Sequence, residues 1–261
     1  MRLFIPRWII KILEALGELL FFLKSNILAL YRERFYWDQL ISELYSIGVR
    51  SLGVVTLAGL FTGMVFVVQV GFNFMKMGAQ SYIGGVVALA LFRELSPVLV
   101  SIIIAGRVGS AMAAEIGTMR ISEQVDALVM LSVNPFSYLT VPKILASIIM
   151  VPILVIYADF VAVLGGAFVA VSQVGITLVS FQNSIIQWVE RYDLMSGIFK
   201  AIVFGFVISL ISCFNGIRTS GGAKGVGNAS TTSVVLSIIS ILVLDYFLAV
   251  FLKYFYVFMY G

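Results

Sequence analysis

Residues 82–106 read YIGGVVALALFRELSPVLVSIIIAG. As a helix rising 1.5 Å per residue, the stretch is long enough to cross roughly 30 Å of hydrocarbon. Arg93 and Glu94 are its only charged residues. A strand of a membrane barrel would instead show segments of about 10 residues with alternating polarity. Four more continuous apolar runs follow the same pattern, at about residues 52–72, 144–171, 197–214 and 234–257. Apolar residues make up 61% of the 261 positions and charged residues 11%, whereas an ordinary soluble domain has roughly 25% charged residues. The chain therefore reads as an all-α membrane protein. It forms one domain over 1–261, with interfacial and elbow helices in 1–50 and five transmembrane helices in 51–261.

The composition also removes whole classes of chemistry. There is no histidine and a single cysteine, Cys213, so neither an internal disulfide nor a His/Cys zinc site can form, and no metal site is expected. The run GGAKGVG at 221–227 invites a phosphate-loop reading, but that loop needs Gly-Lys followed by Ser or Thr after a buried strand. Here Lys224 is followed by Gly225. Residues 215–233, rich in Gly, Ser and Thr, then read as a flexible loop. No catalytic residue is expected, and any nucleotide hydrolysis falls to a separate subunit.

Residues 1–25 do not read as a signal peptide, because Arg7, Lys11, Glu14 and Glu18 interrupt any apolar core. Opposite them, Ile5, Trp8, Ile9, Ile12, Leu13, Leu16, Leu20 and Leu23 recur at helical spacing. That pattern describes an interfacial helix with its apolar side in lipid; a poorly formed spanning helix would put two acids in mid-membrane. A second amphipathic piece, carrying Leu40, Ile41, Leu44 and Tyr45, elbows into the bilayer. With the amino terminus inside, the inner segments hold Arg2, Arg7, Lys11, Lys24, Arg32, Arg34, Arg50, Arg107, Arg120, Lys143, Arg218 and Lys224, twelve of the seventeen basic residues. This asymmetry places the carboxyl terminus outside. The net charge of +4 is thereby explained by membrane orientation, and no nucleic-acid partner is implied. Residues 107–143 form a long inner connection of helical composition, and 173–196 carry a short helix resting on the outer interface.

A charged side chain at the centre of a span costs about 2.5–3.5 kcal/mol on insertion scales, so the R-E-L-S-P motif at 93–97 needs a reason. Pro97 lacks the N–H that would bond the Arg93 carbonyl, which predicts a bend. Neighbouring helical residues point about 100° apart, so Arg93 and Glu94 should have different partners. Asp159, Lys200 and Asp245 are further intramembrane charges, and together they predict an internal polar cluster that includes Lys200 with Asp245. Its alternative role is packing alone. Gly59 and Gly63 form a small-residue step for close helix approach. Beyond them, Phe66, Val70 and Phe74 share a face, with Gln69 beside it: packed or lipid-facing surface by default, or the wall of a cavity for acyl chains. On the inner side, Glu115, Glu123 and Asp126 interleave with Ile116, Met119, Val125 and Leu128. This describes an amphipathic helix suited to a groove in another protein.

The residues RELSPVL, then AGRVGSAMAAEIGTMRISEQVDAL, then Asn134-Pro135 closely resemble the MlaE permease family of ABC transporters that work with MCE proteins. The resemblance runs from about residue 40 to the end and is densest over 84–143. It implies a homodimer in the bacterial inner membrane, bound to two cytoplasmic ABC ATPase subunits, a periplasmic MCE-domain hexamer and, in some systems, a STAS-domain protein. It implies transport of phospholipid between inner and outer membranes, maintaining outer-membrane lipid asymmetry. ATP and Mg would sit on the ATPase, with no cofactor in this chain. A helix over 115–130 looks like the family's coupling helix, with Glu115, Arg120, Glu123, Gln124, Asp126 and Leu128 receiving ATPase motion. Arg93, Glu94, Lys200 and Asp245 fall where the family places polar residues near its lipid cavity. Asp159 has no counterpart, and Ser42 stands where relatives can carry a basic residue. The resulting expectation is a cavity between the first, second and fifth spans of two copies, with head groups at the charges and acyl chains against Phe66, Gln69, Val70 and Phe74. An ion-coupled carrier titrating Asp159, Asp245 and Glu94 is the alternative. An aspartyl protease pairing Asp159 with Asp245 is disfavoured because neither stands in a G-x-G-D motif.

Overall fold

Five helical segments long and apolar enough to cross a membrane, Trp37–Lys76, Gln80–Ile121, Phe136–Val174, Arg191–Ile217 and Gly222–Phe258, organise the described part of the chain. This computed structural model describes residues 7–260, without the side chains of residues 7–13, 15, 16, 259 and 260. Among the described residues there is no strand. α1 (Arg7–Arg32) precedes span one, in which α2 (Trp37–Ile47) leads through a 3-10 turn at Val49–Ser51 into α3 (Leu52–Lys76). Span two joins α4 (Ile83–Ala90), α5 (Ser96–Ile104) and α6 (Ser110–Ile121) through π-helical turns at Leu91–Leu95 and Ala105–Gly109. A short α7 (Gln124–Met130) leads to span three, α8 (Val141–Val169), which has a π-helical turn at each end. The helix α9 (Leu178–Trp188) precedes spans four and five, α10 (Arg191–Ile217) and α11 (Gly222–Tyr260).

Spans two, three and four form the core, and spans one and five flank it: 56% of the most apolar window of span four is buried but only 11% of that of span five. Small residues bring spans one and three together. A Cβ added at Gly63 would overlap the Ala162 carbonyl, and one at Gly59 would lie 3.0 Å from the Ala158 carbonyl. This is the close approach predicted for the Gly59–Gly63 step. Gly63→Ala is expected to cost about 1–3 kcal/mol by overpacking, because the obstacle is backbone and cannot rotate away. Gly53→Ala, with nothing within 4 Å of the added Cβ, is the matched control. Thermal unfolding of the two purified variants in detergent checks the difference.

Several expected boundaries and environments differ. The stretch 215–233 is not a loop: α11 begins at Gly222, because Gly, Ser and Thr let membrane helices pack closely and are not loop formers there. Spans three and four also start earlier than the apolar runs suggest, at Phe136 and Arg191. The helix expected over 115–130 is interrupted. Glu123 has φ +60°, a left-handed conformation uncommon outside glycine, so Glu115 and Arg120 end span two while Gln124, Asp126 and Leu128 belong to α7.

α1 runs on to Arg32, and its inner half docks on protein instead of lying only in lipid. Phe22 is buried between Phe136 and Phe214 with edge-on ring contacts at 5.7 Å to each. Leu19 and Leu23 flank it, while Leu20 and Phe21 face outward. The predicted positions Ile5, Trp8, Ile9, Ile12, Leu13 and Leu16 lie outside the described residues or side chains. α9 is likewise no free surface helix. Phe181 and Ser184 are buried, Gly85 N–H donates to Ser184 Oγ at 2.9 Å, and a Cβ at Gly84 would meet the Phe181 carbonyl.

Candidate functional site

The R-E-L-S-P motif sits where span two widens into the π-helical turn Leu91–Leu95, just before Pro97. The extra residue in that turn accommodates a proline that offers no N–H, and π-bulges of this kind frequent functional sites. It also turns Arg93 and Glu94 toward different partners, as the helical geometry predicts. Arg93 Nε donates to Asp193 Oδ1 at 2.5 Å. Glu94 Oε2 accepts from Lys200 Nζ at 2.5 Å. Lys200 Nζ lies 2.9 Å from Asp245 Oδ1, so one ammonium bridges spans two, four and five. The predicted pairing of Lys200 with Asp245 therefore holds.

Burial divides this network into a fixed part and an accessible part. The side chains of Lys200 and Asp193 are 2% and 1% exposed, while those of Glu94 and Arg93 are 46% and 48% exposed. The buried partners hold the accessible ones in place. A buried charge that lost its partner would carry a large desolvation penalty, which keeps the pairs together. Asp193 is held in turn by a reciprocal cap at the start of span four, where Glu190 N–H donates to its Oδ2 at 2.8 Å. Span four approaches span two closely at this level, since a Cβ at Gly197 would meet the Phe92 carbonyl.

Arg93, Glu94 and Lys200 line a cavity of about 550 Å³ whose other walls include Tyr192, Tyr246, Lys253 and Tyr256. Within one chain its third wall is span four, where the expectation had span one. Phe66 borders a separate depression of about 330 Å³ beside Leu95. Val70 and Phe74 pack on the core around Val67 and Ile83, and Gln69 is exposed. One chain thus brings Arg93, Glu94, Lys200 and Asp245 together, and leaves the four apolar-wall candidates elsewhere. Asp159 also stands apart, buried near Ser96, with its Oδ1 making no hydrogen bond among the described residues.

Two residues escaped sequence reasoning. Asp193 is one; its signal is the E-R-Y-D spacing of a capping box at 190–193. Lys143 is the other. Its buried ammonium pairs with Glu43 of α2 and, at 2.8 Å, with Glu115 of α6. Glu115 is thereby anchored to Lys143 while its side chain stays 55% exposed. Across the break at Glu123, Arg120 at the end of span two and Asp126 of α7 form an exposed ion pair at 2.5 Å. Glu123, Gln124 and Asp126 are exposed and Leu128 is half-buried, beside a projecting apolar edge of Val129, Met130 and Leu131.

Residues 40–251 match the family model described as Permease MlaE. A probable ABC transporter permease protein of Rickettsia bellii is 43% identical over 237 residues, covering 91% of this chain and 92% of that one. A probable ABC transporter permease protein of Synechocystis is 44% identical over 209 residues, 80% of each chain. The chloroplastic protein trigalactosyldiacylglycerol 1 of Arabidopsis thaliana is 40% identical over 225 residues, 86% of this chain and 64% of that one.

Proposed function

The chain belongs to the MlaE permease family, and on that premise we propose that it is the membrane subunit of an ATP-driven transporter moving phospholipid between inner and outer membranes, so maintaining lipid asymmetry. The observation that carries this reading is the half-exposed Arg93–Glu94 pair, fixed from behind by buried Asp193 and Lys200, at the wall of a cavity within an otherwise apolar bundle. Both signs of charge at membrane depth beside apolar walls suit an amphiphile, whose head group carries charge and whose tails do not. A relative whose name contains that of a glycerolipid supports a lipid cargo.

The α7 end faces the cytoplasm in this reading. Its exposed acids and apolar edge receive the ABC ATPase, where ATP and Mg are held. The sparsely buried spans one and five suit a second copy of the chain, and a periplasmic MCE-domain hexamer at the opposite end, with a STAS-domain protein in some systems, completes the assembly. ATP binding on the partner shifts the bundle between two states. Net movement requires that the lipid bind those states unequally.

Glu94→Gln tests the cargo assignment. It keeps the shape but removes the accessible negative charge, so the purified complex is expected to retain several-fold less phospholipid by mass spectrometry, with ATPase subunits still bound. Parental lipid content and parental transport in this variant would overturn the head-group role.

A further inference from the structure

A second groove, of about 510 Å³, lies on the contact between spans four and five. Met195, Phe199 and Ile202 of span four and Phe251 and Phe255 of span five form its floor and sides. None carries a charge, and each is more than a third exposed. The groove shares Tyr192, Ser196 and Leu252 with the charged cavity. The two spaces therefore adjoin along a shared seam. Tyr192 closes it by donating from its hydroxyl to the Leu252 carbonyl at 2.5 Å, and its ring rests against Tyr256 at 4.7 Å.

We propose that this groove binds one acyl chain of a phospholipid from the surrounding bilayer, and that the Tyr192–Leu252 seam is the lateral portal through which that lipid reaches the charged cavity. The inference rests on the phospholipid reading of the cavity. Length favours an acyl chain. From Tyr192 to Ile202 a helix rises about 15 Å, half of a hydrocarbon core of roughly 30 Å and so the depth of one leaflet. Continuity favours it as well, because an uncharged trough leading to paired charges matches a lipid whose tail and head are joined. Opening this hydrogen bond leaves the Leu252 carbonyl satisfied, since it belongs to the interior of α11 and keeps its helical partner.

The test uses the whole complex, with its ATPase subunits, in bilayers of phosphatidylethanolamine and phosphatidylglycerol. A diazirine amino acid is placed at Phe199 in the groove or at Phe168, a more exposed position on span three. After illumination and detergent washing, a phospholipid adduct is expected several-fold more often at 199 than at 168. Equal yields, or an adduct to a second protein chain, would overturn the proposal. Met195→Trp, which fills the groove without touching the ion pairs, is expected to slow transport about tenfold, the scale of losing two buried methylenes. Unchanged transport would remove the portal. Glu94→Gln in the same bilayers separates the two readings. If it leaves lipid retention unaltered, the cavity assignment itself falls; if it lowers retention while groove labelling and Met195→Trp show nothing, the groove alone falls.

Discussion

Replacing Lys200 with methionine is expected to abolish transport and to destabilise the bundle by about 3–5 kcal/mol, the cost of breaking a buried pair by removing one partner. Lys200 is the only cation within ion-pair distance of both Glu94 and Asp245 among the described residues. Its loss leaves two carboxylates at membrane depth with no neutralising group. A neutral triple variant, Lys200→Met with Glu94→Gln and Asp245→Asn, distinguishes stability from function. Replacing a whole buried ion network by groups of similar volume is often near neutral for stability. The triple variant should therefore regain most of the parent's resistance to heat in detergent, while transport stays lost on the proposed reading because Glu94, the accessible negative charge assigned to the head group, is gone. Recovery of transport along with stability would mean that the cluster is glue between helices.

Lys143→Met should produce the second largest effect, of about 3 kcal/mol on the same scale, since one of its two partners reaches water as Glu94 does at Lys200. Lys143 is 3% exposed, Glu43 16% and Glu115 55%, so the uncompensated charge is chiefly that of Glu43. The damage should be local to the end of the bundle that carries α7. Hydrogen exchange is expected to quicken in α2, whose Glu43 loses its anchor, and to stay unchanged around Arg93 and Asp193. Transport should fall together with the response of ATPase activity to lipid on the proposed reading, since this ammonium joins α2 to α6 at the end that carries α7. An exchange pattern that spreads evenly over all five spans would contradict a local role for Lys143.

The sequence reveals the broad architecture because a helix crossing hydrocarbon must be apolar over most of its length, and five such runs stand out. The separate partners of Arg93 and Glu94 and the pairing of Lys200 with Asp245 were also legible, because helical geometry and the cost of lone charges leave few arrangements. What stayed hidden depends on neighbours. Asp193 reads as a helix cap until span two brings Arg93 to it. Lys143 reads as an inner-side cation until α2 and α6 fold over it. The break at Glu123 carries no glycine or proline signal, so one amphipathic pattern over 115–130 conceals two helices. Gly, Ser and Thr before residue 234 resemble a loop in water but form the first turns of α11 against Ser110 and Asn215. Phe66, Val70 and Phe74 share a helical face as predicted; the pattern cannot tell packing on the core from the wall of a cavity.

On the proposed function, the charged cavity holds lipid that the partner's ATP cycle dislodges. Native mass spectrometry of the purified complex, before and after ATP and Mg are added, measures this directly. Phospholipid bound in the parent, lost on ATP addition and scarce from the start in Lys200→Met is the predicted result. A complex that carries the same lipid before and after ATP, in parent and variant alike, would contradict it.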